Sequence, residues 1–105
     1  MRSLEAALKR SPIPSHDPAA RTAFATDHPQ WTQDGEEISR TFVFADFNEA
    51  MGFVNRVALA AEVANHHPDI DIRWNKVTLV LSTHEEGALT EQDTALATTF
   101  DAWVD

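Results

Sequence analysis

The sequence predicts an α+β fold, a four-stranded antiparallel sheet with three helices packed on one face, in the order α-β-β-α-β-β-α. Three observations predict it. Ile38 to Phe44 and Ile70 to Leu81 alternate apolar with polar residues, the period of a half-buried strand. Asp17, Asp46 and Thr90 each stand as a capping residue before a stretch whose apolar residues recur at helical spacing. These elements read helix, hairpin, helix, hairpin, helix, and paired hairpins separated by a helix suit an antiparallel sheet with its helices on one side.

Residues 1–16 read as an N-terminal extension, and 17–105 as a single domain. Leu4, Ala7 and Leu8 could form one apolar helical edge, which Ser11-Pro12-Ile13-Pro14 stops. Asp17 then caps a helix with Pro18 at its first position and Ala20, Ala23 and Phe24 on its apolar side, ending before Pro29. Asp34-Gly35 marks the turn of the first hairpin. In the strand that follows, Ile38, Arg40, Phe42 and Phe44 share one face. Asp46, with Glu49 three residues on, makes a variant of the capping box. The helix behind it carries Phe47, Ala50, Met51, Val54, Ala58 and Ala61 as a core stripe and should run to about Asn65, because Pro68 disfavours helix before it. In the second hairpin a two-residue loop at Asn75-Lys76 would set Trp74 opposite Val77 and Ile72 opposite Leu79. Thr90 and Asp93 open the last helix, whose buried edge is Leu96, Phe100 and Trp103.

Composition bounds the function. At 105 residues the chain holds one core. It contains no cysteine, which excludes disulfides, thiolate nucleophiles and cysteine-based zinc sites. The net charge is −9 and the eight Lys and Arg residues are scattered, so direct nucleic-acid binding is not expected. No stretch approaches the roughly 18 apolar residues of a membrane span, and the first ten residues lack the apolar region of a secretory signal. The expected location is cytoplasmic.

The chemistry-bearing stretch is Glu62-Val63-Ala64-Asn65-His66-His67-Pro68. Glu62 and His66 are four apart and could hydrogen-bond on one helix face, where a carboxylate fixes an imidazole and raises its basicity. His67 comes where the helix breaks and should point elsewhere. His84 ends the last strand, before Glu85-Glu86-Gly87. Three histidines at element ends, with Trp74 nearby, could line one cleft and transfer protons near neutral pH. The competing reading is structural: Glu–His pairs on helices are often surface hydrogen bonds, and Thr90 with Asp93 accounts for a helix cap without catalysis. Three histidines could also ligate zinc, but no His-x-x-x-His pair lies on a regular helix and His66 and His67 diverge. His16 and His28 look like loop residues and are given no role.

In Glu62, His66-His67-Pro68, Trp74, His84 and Asp93, taken in that order, the chain resembles the pterin-4a-carbinolamine dehydratase family. Phe42-Val43-Phe44-Ala45-Asp46-Phe47, Asn55-Arg56-Val57-Ala58, Asn75-Lys76-Val77 and Ser82-Thr83-His84 are similar to the family as well, and the likeness covers about residues 29–103. The resemblance implies the same fold and a hydro-lyase that dehydrates 4a-hydroxytetrahydropterin to quinonoid dihydropterin in tetrahydrobiopterin recycling. It implies His66 and His84 as the acid/base pair, His67, Glu62 and Trp74 as substrate-binding, Asp93 in a minor part, no cofactor and no metal. It also implies dimers that extend the sheet across subunits and pair into tetramers, so a homodimer or homotetramer is expected. The family includes dimerisation cofactors of a homeodomain transcription factor, so an interaction protein without catalysis is the alternative. Ile70 stands where some members carry an aromatic residue.

Overall fold

The computed structural model describes residues 15–83 and 86–105. The elements are α1 (Pro18–Asp27), β1 (Thr32–Asp34), β2 (Glu37–Val43), α2 (Phe47–Ala64), β3 (Asp69–Arg73), β4 (Lys76–Leu81) and α3 (Glu91–Val104). All strand pairs are antiparallel, in the order β1-β2-β4-β3. The proposed helical edge at Leu4, Ala7 and Leu8 lies outside the described residues.

Each helix begins where its side chains satisfy free backbone N–H groups. Asp17 accepts from Ala20 N at 2.8 Å, with Pro18 leading α1. Asp46 accepts from Glu49 N at 2.8 Å, while the Glu49 carboxylate takes Ala45 N at 3.1 Å, one residue earlier than a regular capping box. Thr90 and Asp93 form the full reciprocal box of α3.

Ile38 and Phe42 from β2, with Val77, Leu79 and Leu81 from β4, are buried beneath α2 and α3. The buried stripe of α2 is Ala50, Phe53, Val57 and Ala61. It differs from the expected set, since Phe47 and Ala58 are exposed. The helix is rotated so that the Phe53 ring meets Phe42, Phe44 and Trp103, with its centroid 4.7 Å from that of Phe42. Trp31 is buried, and Trp103, expected on the buried edge of the last helix, is half-buried under the Arg56 guanidinium.

Arg40 shares the inner face with Ile38 and Phe42, so it needs partners. It finds Asp101 at 2.6 Å and Asp105 at 2.9 Å. Hydrogen bonding by Arg40 holds the Asp105 carboxyl below the usual carboxylate range. Asp101 also accepts from Trp31 Nε1 at 2.9 Å and pairs with His28 Nδ1 at 2.7 Å, which makes His28 a structural residue rather than an idle loop position. His16 likewise is fixed, through Thr94 Oγ1 at 2.8 Å and its own backbone N–H on Leu89 O.

The β3–β4 hairpin departs from expectation in register. Its loop is Trp74-Asn75, and the pairs are Arg73 with Lys76, Ile72 with Val77 and Ile70 with Leu79. The shift keeps parity, so the apolar faces still coincide. It places Trp74 in the turn, with φ of 52° and 67% of its surface exposed. A bulky side chain in that left-handed region is a strained placement.

Candidate active site

The site is built where α2 ends. Asn65 takes φ of 51° as the left-handed C-cap, and its N–H returns to Ala61 and Glu62 carbonyls. His66 N then bonds Ala61 O at 3.0 Å, which closes the helix. That reversal of backbone handedness turns His66 inward and His67 outward.

His66 is buried, and its Nε2 lies 2.5 Å from Asp93 Oδ1. A carboxylate oxygen accepts from an imidazole N–H, and in the neutral ring with its proton on Nε2 the Nδ1 lone pair is left free. Among the described residues Nδ1 has no hydrogen-bond partner. Asp93 is fully buried, and its other oxygen accepts from Thr90 N and Thr83 Oγ1, both at 2.9 Å. Thr83 Oγ1 in turn takes the Thr90 hydroxyl proton at 2.6 Å. Two donors on Oδ2 therefore hold the carboxylate whose Oδ1 fixes the imidazole.

The expected partnership of Glu62 with His66 is not formed. Glu62 instead bonds His67 Nε2, five residues on, and both side chains are exposed. The left-handed turn at Asn65 is the reason, because it takes His66 off the helical face that Glu62 occupies. Asp93 supplies the carboxylate in its place. The sequence marked Asp93 first as a cap residue, and it is both cap and histidine partner.

A cavity of about 470 Å³ opens between the end of α2 and the start of α3, lined by Ala64, His66, Glu91, Gln92, Ala95, Leu96 and Thr99. That volume is in the range of small-molecule sites. His84 lies outside the described residues, although its neighbour Thr83 belongs to the Asp93 network. Trp74 is not brought near. It stands at the far end of β3 from His67, about 20 Å along the chain at the rise of a strand. Among the described residues no three His, Asp or Glu side chains converge as metal ligands.

The profile of the pterin 4 alpha carbinolamine dehydratase family matches residues 14–103. The chain belongs to this family. A dehydratase-family relative from Thermomicrobium roseum, provisionally named pterin-4-alpha-carbinolamine dehydratase, is 53% identical over 81 residues, covering 77% of this chain and 87% of its own. A crystal structure from Brucella melitensis, described as a transcriptional coactivator/pterin dehydratase, superposes with a TM-score of 0.83 at 31% identity, over 88% of this chain and all of the other. A pterin dehydratase-like protein identified as a RuBisCO assembly factor shares the fold at a TM-score of 0.60 and 24% identity, over 71% of this chain and 89% of its own. Family membership thus covers both the two histidines at the end of α2 and the Asp93 cap, since all lie inside the matched span.

Proposed function

We propose that the protein dehydrates a 4a-hydroxytetrahydropterin to the quinonoid dihydropterin, in the recycling of tetrahydropterin after aromatic hydroxylation. The observation that carries this reading is the buried Asp93 bonded to His66 Nε2 at the edge of a ligand-sized cavity. The reaction breaks the C4a–O bond. A proton must reach the leaving oxygen so that it departs as water, and a ring N–H proton must be taken up to complete the double bond. His66 and His84 form the acid/base pair. With Nε2–H donating a hydrogen bond to Asp93, His66 presents Nδ1 as a proton acceptor, and the Asp93 carboxylate stabilises the imidazolium that follows. His67, steadied by Glu62, and Trp74 bind the pterin, the indole by stacking on its rings.

Stopped-flow loss of freshly generated 4a-hydroxytetrahydropterin, with and without the protein, is the test. His66→Ala and His84→Ala should each lose about 10²–10⁴-fold in rate with little change in circular dichroism. Near-wild-type rates in both variants would overturn the assignment.

A second reading, an interaction module, is supported by Leu59 and Val63, which stand 70% and 90% exposed on α2. An inactive wild-type protein would favour it.

A further inference from the structure

We propose that each active site is completed by the partner protomer's Trp74, delivered by antiparallel pairing of two β3 strands about a twofold axis at Asp71. This inference rests on the pterin reading for the role of the indole, but not for its position.

The first observation is the separation of Trp74 from His66 and His67 within one protomer. The second is that β3 is an edge strand whose register with itself is dictated by its own groups. A two-residue hairpin is closed by a hydrogen-bonded pair, here Arg73 with Lys76. Backbone groups of Asp69, Asp71 and Arg73 therefore face β4, and those of Ile70 and Ile72 face outward. A twofold axis normal to the sheet pairs even residues with even ones. Centring on Asp71 sets Ile70 across from the partner's Ile72, and all four outward N–H and C=O groups of each strand are satisfied. Centring one residue earlier or later spends a bonding position on Pro68, which has no N–H, or on the turn.

Side chains agree with that register. Ile70 and Ile72 meet their counterparts on the helix-bearing side, and Ile70 is 38% exposed in the single chain. On the other side Asp69 faces the partner's Arg73, twice by symmetry. Asp71 meets the partner's Asp71, a repulsion tempered by Arg73 Nε, which lies 3.2 Å from Asp71 Oδ2 of its own chain. The same register sets the partner's Trp74 opposite Pro68, one residue from His67. The two-residue loop demands a positive φ at Trp74, and a bulky, exposed indole at a position that Gly or Asn fills more easily follows if its ring serves a neighbouring site.

Two experiments test this. The chain has no cysteine, so a Pro68→Cys/Trp74→Cys double variant reports placement alone. Within one chain the two positions lie far beyond the roughly 7 Å that a disulfide can bridge. Mild oxidation should therefore give a covalent dimer on a non-reducing gel, and a monomer would overturn the proposal. Asp71→Cys, a single exposed substitution on the axis, should cross-link likewise if the double variant folds poorly, and its failure to do so counts equally against the register. The second experiment co-expresses Trp74→Ala with His66→Ala. Each alone should be defective in rate, yet half of the random dimers would hold one intact site, restoring about a quarter of the wild-type rate. No restoration, with active wild-type protein, overturns the shared site. An inactive wild-type protein would defeat the pterin reading instead, and the cross-link then decides the placement.

Discussion

At the scale of single residues, Asp93 joins helix capping to the orientation of His66. Replacing it with Asn keeps the shape but supplies one acceptor oxygen where the structure uses two. Either Thr90 N–H or His66 Nε2 then faces an amide N–H₂ and is left without an acceptor. A buried donor left unsatisfied costs about 1–3 kcal/mol, which a domain with 5–15 kcal/mol of stability survives. The amide can also donate to Nε2 and move the imidazole proton to Nδ1, which removes the acceptor the reaction needs. Asp93→Asn should therefore stay folded by circular dichroism while kcat falls about 10²-fold or more and KM hardly moves. A purely structural Asp93 would give a lower Tm with kcat intact.

At the scale of elements, Asn65 decides where the histidines point, and it does so by standing in the left-handed region that Gly and Asn tolerate best. Asn65→Gly should leave the urea midpoint nearly unchanged, whereas Asn65→Val should cost about 1–2 kcal/mol and weaken activity through His66. Equal stability of the two variants would show that the C-cap geometry is unimportant. The same residue marks what was legible in the sequence. Caps at Asp17, Asp46 and Thr90 could be read because a cap is made within four residues of its helix. The pairing of Glu62 with His67 could not, since i to i+4 reasoning holds only while the helix lasts and Asn65 ends it. Arg40 gave a usable signal, a charge on an apolar face between Ile38 and Phe42. Its partners Asp101 and Asp105 lie more than sixty residues away, beyond any local pattern. For the β3–β4 turn, parity fixed the faces, but the two possible loops differ by a shift that parity does not detect.

At the scale of the whole molecule, the sheet ends in two unequal edges. β1 is three residues long and polar, so it offers little to a second strand. β3 has five residues, with Ile70 and Ile72 on the helix-bearing face and its charges, Asp69, Asp71 and Arg73, all on the other. It has neither Lys nor Pro within it, so its edge is only partly blunted. A chain of 105 residues also gains by burying further surface between subunits. The protein should therefore elute as a symmetric oligomer, a dimer or a pair of dimers, with a light-scattering mass at least twice 11.7 kDa. Ile70→Lys should reverse this: its backbone bonds can still form, but two buried ammonium groups would face apolar Ile72 partners across the axis, and burying unpaired charge costs far more than the pair gains. In the single chain residue 70 is already 38% exposed, so the fold itself should tolerate lysine. The expected result is a mass near that of one chain at micromolar concentration, an unchanged circular dichroism spectrum, and loss of dehydration in step with loss of the dimer as the protein is diluted. A fully active Ile70→Lys monomer would show that one chain holds a complete site.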